Sequence, residues 1–289
     1  MPRRRFGDRK EGRKLRSIDP MGAVIPYIMK TRTGSQNMIN DCIDIENLEK
    51  YIHKKRQEGL KGFGILNVII SAYVRTVAQR PGVNRFVSGQ KIYARNEISV
   101  AFVIKKELKI DSPETVVKIT FNPEDTVEEM YEKVKLEVEK GRNEGDESDF
   151  DAAARFFRFI PGLILKFVIF LINLFDYFDL LPKSLIKLSP FHCSLFLTSM
   201  GSLGIPPVFH HLYDFGNVPM FCSYGAKRTE LVLNKDGVVE ERKFIDYTVN
   251  TDDRICDGHY YASVMKMIKD YLKNPDKLDI IPEVVEDIK

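Results

Sequence analysis

Two adjacent carboxylates stand in the segment T-D-D-R-I-C-D-G of residues 251–258, where Asp252 and Asp253 precede Arg254. A carboxylate close to a thiol or hydroxyl can act as a general base, but the ordinary aspartate pKa of about 3.9 is far from the optimum near neutral pH. Burial raises the pKa of a carboxyl group. We therefore treat Asp253 as a candidate base. The alternatives are a carboxylate held by a turn and a group that binds substrate.

Two hydroxyl side chains occur at the end of an apolar run in L-F-L-T-S-M-G-S-L-G, residues 195–204. A positioned hydroxyl can donate a hydrogen bond to an oxyanion that forms in a transition state. Thr198 and the neighbouring Ser199 both carry such a hydroxyl. The alternative is an ordinary strand threonine on a half-buried face.

The histidines are further candidates for a base. His210 and His211 lie in P-P-V-F-H-H-L-Y-D-F-G-N, soon after the Thr198 segment. Either could act in catalysis, and the alternative is a loop or interface position. His192 precedes the same segment, and His53 lies in a charged segment that favours exposure to solvent.

Composition excludes several classes of protein. The chain has 289 residues, 44 basic and 41 acidic side chains and a net charge of +3, so no overall charge favours nucleic acid. The four cysteines are far apart and form no C-x-x-C, and no metal-ligand spacing or phosphate-binding glycine loop is present. The amino terminus lacks the pattern of a secretory signal. These features predict a cytoplasmic, reduced protein without a metal site or a covalently bound cofactor.

Positive charge is concentrated at the amino terminus. Residues 1–16 contain eight Lys or Arg and two acidic residues, a net charge of +6, so the remainder carries 3 − 6 = −3. We predict a flexible basic arm over residues 1–19, followed by one domain over 20–289. The arm either aids solubility or is attracted to an anionic lipid surface.

The residue pattern predicts alternating helices and strands, which indicates an α/β fold. The alternation over residues 91–106 predicts two strands around Arg95-Asn96, and residues 116–122 are predicted to form another strand. A hairpin with Asp236-Gly237 at its turn is indicated in the last third. Helical spacing indicates helices over the segments 43–59 (after a short strand), 64–82, 123–142 and 260–278.

An apolar helical insert is predicted over about residues 155–188, after an acidic linker at 143–151. Its apolar segment, residues 156–181, is too interrupted for a secure membrane span. Its polar residues fall on one narrow helical stripe, which leaves a wide apolar arc. Such a helix is buried, faces another subunit or lies in a membrane interface. The residues of the stripe are Arg155, Arg158, Gly162, Lys166, Asn173 and Asp176.

The chain resembles the catalytic domain of the dihydrolipoyl acyltransferases of 2-oxo acid dehydrogenase complexes, which share the chloramphenicol acetyltransferase fold. Residues 251–272 resemble the closing signature D-H-R-x-x-D-G and its long helix, and residues 195–204 resemble F-T-I-S-x-L-G-x-x-G. Residues 217–228 resemble N-x-P-x-x-A-I-L-G, and residues 25–48 resemble the opening helix and strand. The similarity extends over roughly residues 20–280, without lipoyl and subunit-binding modules.

The resemblance implies a two-layer sandwich of mixed sheet and helices, and a homotrimer in which neighbouring subunits share a tunnel. A coenzyme A (CoA) thioester and a thiol or alcohol enter from opposite ends. The signature histidine deprotonates the acceptor, and a Ser or Thr of the F-T-I-S strand binds the oxyanion; Thr198 matches this position, with Ser199 in support.

The sequence departs from the family at the base. Asp253 stands where the family has its histidine, while Arg254, Asp257 and Gly258 match the signature as supporting residues. The family arginine that pairs with the closing aspartate has no clear counterpart in this sequence, and Arg32 is a candidate for its role. Loss of a tuned base typically forfeits 10²–10⁴ in rate.

Two hypotheses follow. In the first, the protein is a CoA-dependent acyltransferase with Asp253, Thr198 and His211 as catalytic residues, acting on an unidentified acceptor in the cytoplasm or at an anionic membrane surface. In the second, it is an inactive trimeric binding or scaffold homologue. A third, weaker possibility is the core of a dehydrogenase complex whose lipoyl modules reside on another chain.

Overall fold

A computed structural model describes residues 5–105, 114–143 and 158–288, which form nine strands and seven α-helices. The strands are β1 (Gly12–Lys14), β2 (Gln36–Asp44), β3 (Arg85–Ser88), β4 (Lys91–Arg95), β5 (Ile98–Lys105), β6 (Glu114–Phe121), β7 (Leu195–Ser199), β8 (Met220–Leu233) and β9 (Val239–Asp252). The helices are α1 (Pro20–Ile28), α2 (Glu46–Gln57), α3 (Ile65–Gln79), α4 (Val127–Asn143), α5 (Gly162–Tyr177), α6 (Lys183–Leu188) and α7 (Gly258–Lys273).

A six-stranded mixed sheet in the order β2-β9-β8-β7-β5-β6 organises the domain. Strand β7 is parallel to β8 and to β5, whereas the other neighbouring pairs are antiparallel. Helices α2, α3, α4 and α7 contribute to the main hydrophobic core with one face of this sheet, the inner face. The predicted two-layer sandwich of mixed sheet and helices is confirmed.

Alternation along the central strands separates the inner face from the opposite, outer face. On β7, Leu195 and Leu197 belong to the main core, whereas Phe196 packs in a second cluster with Phe221 of β8. Because successive strand side chains point to opposite faces, Thr198 lies on the outer face with Phe196. The candidate oxyanion donor is therefore on the side of the sheet opposite to α2, α3, α4 and α7.

The strap, which we define as residues 205–217, crosses the outer face. The Val208 amide donates to Ser223 Oγ at 3.2 Å, and the Asn250 side chain donates to the His210 carbonyl at 2.7 Å. Near its end the strap turns at Gly216, whose φ is +79° and where a Cβ would lie 2.1 Å from the Phe191 carbonyl oxygen. Only glycine fits this turn, because both the backbone angle and the space exclude a side chain.

The amino-terminal segment is packed against the domain over residues 5–16, which differs from the flexible arm that we predicted. Strand β1 pairs with β4 in a second sheet of order β1-β4-β3. Arg9 is buried, and its guanidinium donates to the Asp176 side chain at 2.6 Å and to the Asp176 carbonyl at 2.7 Å. Long-range charge pairing, invisible in the local composition, holds this segment.

The insert forms α5 and α6. None of the α5 side chains is buried, and the helix has large apolar side chains exposed to solvent, including Leu163, Phe167 and Phe170. Asp176 fixes its carboxy-terminal end through Arg9, so the polar stripe is partly a docking contact. Arg155 and most of the acidic linker lie outside the described residues. No helix among the described residues combines the length and apolar character needed to cross a membrane.

Candidate functional site

A cleft of about 880 Å³ opens beside the end of β7, the middle of β8 and the amino terminus of α3. Ser199, Gly201 and Tyr224 line one side. The opposite wall comes from the start of α3 and from α4. A β-bulge between Tyr224 and Lys227 interrupts the β8–β9 pairing at this point, which widens the edge of the sheet at the cleft.

Positive charge dominates the lining of the cleft. Four cationic side chains and one acidic side chain, Glu139, line it, and all four cations are solvent-exposed. Lys227 also contacts Glu49, and Lys135 lies 3.5 Å from Glu132, so Lys61 and Arg142 supply most of the unopposed charge. The positive end of the α3 dipole adds to this field. The arrangement suits a ligand with several negative charges. The four cations are Lys61, Lys135, Arg142 and Lys227.

Ser199 and Thr198 occupy different sides of β7. Burial raises the pKa of the Tyr224 phenol, and a hydrogen bond with Ser199 partly opposes this effect. The Ser199 hydroxyl therefore lies at the cleft and engages Tyr224. Thr198 is half-buried on the outer face, next to Ser223, which binds the strap.

His210 has the better environment for a base of the two strap histidines. Its ring stacks on Phe221 with centroids 4.0 Å apart, and Nδ1 lies 2.9 Å from the His211 carbonyl oxygen. Because a carbonyl only accepts, Nδ1 carries the proton and Nε2 is the basic nitrogen. Burial lowers the pKa of His210 from 6.5, which favours the neutral ring. His211 is solvent-exposed.

A buried ion pair organises the turn after β9. The Arg254 guanidinium donates to both Asp252 oxygens, at 2.8 and 2.7 Å, and Asp252 is 1% exposed. Arg32 Nε lies 3.7 Å from Asp252 Oδ2, so a second buried cation faces the same carboxylate. Arg32 also donates to the Tyr213 carbonyl at 2.7 Å. Arg32 thus serves Asp252 and not the closing aspartate for which we considered it.

Asp253 is exposed, and its carboxylate accepts a hydrogen bond of 2.5 Å from Asn37. Its amide donates to the Ser35 carbonyl at 2.8 Å. Asp257 caps α7, because its side chain accepts from the Tyr260 amide at 2.8 Å, and Gly258 begins the helix. The signature residues are therefore held mainly by structural contacts within one chain.

Thr198 and Asp253 are far apart within one protomer. Thr198 pairs with Ser223, which pairs with Thr248, and Asp253 lies five residues beyond Thr248. With strands about 4.8 Å apart and about 3.3 Å per residue, the two Cα atoms are about 19 Å apart. Phe221, on which His210 stacks, has its Cα only about 8 Å from that of Thr198 by the same geometry.

The four cations of the cleft were not predictable from the sequence, because they come from three separate segments and belong to no motif. The other histidines have structural surroundings: His192 is buried next to Ser189, and His53 contacts Gln57 on the surface of α2. Cys193 and Cys222 are buried, and burial raises the pKa of both thiols, to about 11 and about 12. No cluster of potential metal ligands occurs in the part of the chain that is described.

Comparison with known families finds a match over residues 216–280 to the sequence model of the 2-oxoacid dehydrogenases acyltransferase (catalytic domain). This part contains β8, β9, α7 and the Asp252–Asp257 turn. No curated protein sequence gives a significant match. The resemblance to the dihydrolipoyl acyltransferase catalytic domain is thus confirmed for the carboxy-terminal part by sequence.

Solved structures show the same fold along nearly the whole chain. A probable dihydrolipoamide acetyltransferase from Listeria monocytogenes 4b F2365 is 14% identical with a TM-score of 0.58, covering 91% of this chain and 95% of that chain. The cubic core of a pyruvate dehydrogenase multienzyme complex is 13% identical with a TM-score of 0.59, covering 95% and 96%. Chloramphenicol acetyltransferase is 11% identical with a TM-score of 0.51, covering 90% and 100%.

Proposed function

We propose that the protein binds a CoA thioester in the basic cleft and transfers its acyl group to an acceptor. The observation that carries the proposal is the position of the four cations beside Ser199, in a fold shared with acetyltransferases. CoA carries a pyrophosphate and a 3′-phosphate, which Lys and Arg side chains bind well. The cleft is large enough to hold an extended ligand.

The reaction is an acyl transfer without redox change. An acceptor hydroxyl or thiol attacks the thioester carbonyl, its proton passes to a base, and the tetrahedral intermediate collapses to release CoA, whose sulfur takes up a proton. The thioester end of the ligand would pass the end of β7 from the cleft to the outer face, where Thr198 is the proposed donor to the oxyanion. His210 is the proposed base within the same protomer, because Nε2 is its basic nitrogen and the ring is near the Thr198 part of the sheet.

A homotrimer is part of the proposal. The separation of about 19 Å between Thr198 and Asp253 prevents these two side chains from acting together within one chain. A neighbouring copy could bring its Asp253 to the Thr198 of the first. In such an assembly, Asp253 or His211 from the partner subunit is the alternative base.

The competing function is a trimeric binding or scaffold protein without turnover. It is favoured by one observation: the signature turn is held by structural contacts, and Asp253 stands where a catalytic histidine is expected. Both functions are compatible with a ligand such as CoA in the cleft. They differ only in turnover.

Binding is tested by titrating acetyl-CoA into the full-length protein by calorimetry. We expect saturable binding that weakens at least tenfold in Lys61→Gln/Lys227→Gln, because two charge-assisted contacts are lost. The control variant Lys235→Gln/Lys266→Gln changes the same charge away from the cleft. Undetectable binding, or equal loss in the control, would reject a CoA site here.

Turnover is tested with a panel of thiol and alcohol acceptors by following release of the CoA thiol. We expect Thr198→Ala to lower kcat by about 10²–10³, as for loss of an oxyanion donor. His210→Gln and Asp253→Ala identify the base by which of them abolishes activity. If no acceptor reacts but Asp253→His gains turnover, the scaffold function is supported.

We also propose that the protein is cytoplasmic and lies at an anionic membrane surface through α5. The exposed apolar stripe of Leu163, Phe167 and Phe170 is followed by the exposed cations Lys183 and Lys187 of α6. Of the insert's two acidic side chains, Asp176 pairs with Arg9, and Asp179 accepts a hydrogen bond from the Lys10 backbone amide. The exposed charge is therefore complementary to acidic lipid.

Vesicle flotation tests this location. We expect binding to vesicles with acidic lipid, and loss of binding in Phe167→Ser/Phe170→Ser. The matched control Leu231→Ser/Leu233→Ser removes equally exposed apolar side chains from the β8–β9 hairpin. Absence of flotation would reject the membrane proposal. A change of oligomeric state in the α5 variant would assign this helix to a subunit contact instead.

A further inference from the structure

A second cavity, of about 520 Å³, lies on the outer face of the sheet at the end away from Thr198. Ser99 and Thr120 form its floor, α6 of the insert forms one wall, and the amino-terminal segment forms another. Because β5 and β7 are parallel and Phe102 pairs with Leu197, Ser99 lies in the opposite direction from Thr198 along the strands. The cavity is thus distinct from the basic cleft.

Buried polar atoms without partners are concentrated in this cavity. In the described part of the chain, nine buried side-chain atoms have no hydrogen-bond partner, and three of them belong to its lining: Glu11 Oε2, Arg95 Nε and His192 Nε2. His192 is 3% exposed, and its Nε2 lies 3.7 Å from Asp176 Oδ1, so this nitrogen has a carboxylate neighbour but no hydrogen-bond partner. Buried polar groups are usually paired, so a cluster of unpaired ones indicates a missing partner.

Lys118 supplies a buried ammonium group in the same cavity. Its Nζ donates to the Ile186 and Ser189 carbonyls at 2.8 and 3.0 Å, which leaves one of its three protons for a further acceptor. Burial lowers the pKa of this amine to about 8. A negative ligand beside it would restore the charged form.

Cations outnumber carboxylates around the cavity. Five cationic side chains line it, and only Glu11 and Glu97 oppose them. Glu11 already accepts from Arg9 at 3.0 Å through Oε1, and Glu97 is exposed. The five cations are Lys10, Arg95, Lys118, Lys183 and Lys187.

We propose that this cavity, which we call the anion cavity, binds a phosphate group. Arg95 Nε and Lys118 Nζ would donate to its oxygens, with His192 Nε2 at the edge of the site. The free Glu11 Oε2 would accept the proton that a phosphate monoanion still carries, which a sulfate lacks. The volume exceeds that of one phosphate, which leaves room for the organic part of a phosphate ester. It comes either from a soluble phosphomonoester or from an acidic lipid headgroup.

The experiment is calorimetric titration of the full-length protein with inorganic phosphate, glycerol 3-phosphate and sulfate. We expect saturable binding of both phosphates, at least tenfold tighter than sulfate. Lys118→Met and Lys183→Gln/Lys187→Gln should each weaken phosphate at least tenfold, whereas Lys235→Gln/Lys266→Gln should not. The Lys183/Lys187 variant keeps the test valid if Lys118→Met fails to fold, because both side chains are exposed.

Three outcomes would overturn the proposal: no saturable phosphate binding, equal affinity for sulfate, or equal loss in the control variant. Vesicles of phosphatidic acid in phosphatidylcholine distinguish the sources. Binding that soluble glycerol 3-phosphate displaces assigns a lipid headgroup, and binding of the soluble ester alone assigns a free metabolite. Acetyl-CoA affinity should be unchanged in the Lys183/Lys187 variant, so failure here is separable from failure of the CoA proposal.

Discussion

The basic cleft and the turn after β9 each contain residues that match the family signatures. They differ in the contacts that their charged side chains make. In the turn, Asp252, Arg254 and Asp257 satisfy one another or the backbone within a single chain. In the cleft, Lys61 and Arg142 are exposed at an open surface. The residues of the motif thus make structural contacts, whereas the cations of the proposed ligand site belong to no motif.

A substitution that disrupts the turn and leaves the cleft unchanged should have the greatest effect on stability. Asp252→Asn leaves Arg254 and Arg32 buried without their carboxylate, so we expect the free energy of unfolding to fall by about 3–5 kcal/mol. Asp253→Asn, at the exposed neighbouring position, should change it by less than about 1 kcal/mol. Urea denaturation measures both. Similar losses in the two variants would contradict the distinction between them.

Ionic strength should affect the exposed charges of the cleft more than the buried pair of the turn. Raising ionic strength from about 0.05 to about 0.5 M should weaken acetyl-CoA binding by about tenfold, because exposed charges are screened. The difference in unfolding free energy between wild type and Asp252→Asn should stay nearly constant, because the buried pair is screened far less. Salt-independent CoA binding would show that the four cations do not provide the affinity.

The helix cap in the turn should have a smaller effect. Asp257→Ala removes the acceptor for the Tyr260 amide, and we expect a loss of about 1 kcal/mol in thermal or urea unfolding. Asp257→Asn keeps an acceptor and should recover most of this loss. If Asp257→Ala instead abolished acyl transfer with unchanged stability, the closing aspartate would have a role in catalysis.

The smallest effect concerns pH. Because burial lowers the pKa of His210 from 6.5, its ring is largely neutral near pH 7 and takes up its proton at a lower pH than a free histidine. If His210 is the base, kcat/KM should be flat near pH 7 and fall as the pH decreases through a value below 6.5. A His210→Gln variant with residual activity should lose this acid limb. An unchanged profile would transfer the role to another residue.

Local patterns predicted most of the architecture because the strands and helices of the sandwich have strong periodicity. The apolar alternation around Arg95 placed β4 and β5, and Asp236-Gly237 placed the turn between β8 and β9. The packing of residues 5–16 was not predictable from composition, since Arg9 depends on Asp176, 167 residues away. The closing motif predicted the position of Asp253 but not its distance from Thr198, which depends on sheet register.

The cleft and the anion cavity were hidden for the same reason. Their cations come from separated segments, so only the fold brings Lys61 near Lys227, or Lys118 near Lys187. Single lysines on charged helices look alike in sequence whether they face solvent or a ligand. The preference for His210 over His211 likewise depends on Phe221, whose ring is placed by the pairing of β8 with β7.

Gly216, near the end of the strap, restricts which substitutions the protein tolerates. With its left-handed backbone and the Phe191 oxygen where a Cβ would stand, Gly216 admits no other residue without separating the strap from the entrance to β7. A saturation scan selected only for soluble expression should therefore return position 216 as intolerant to every replacement. Such a signal would reflect assembly of the polypeptide, and invariance at this position in any set of relatives should not be read as a trace of chemistry.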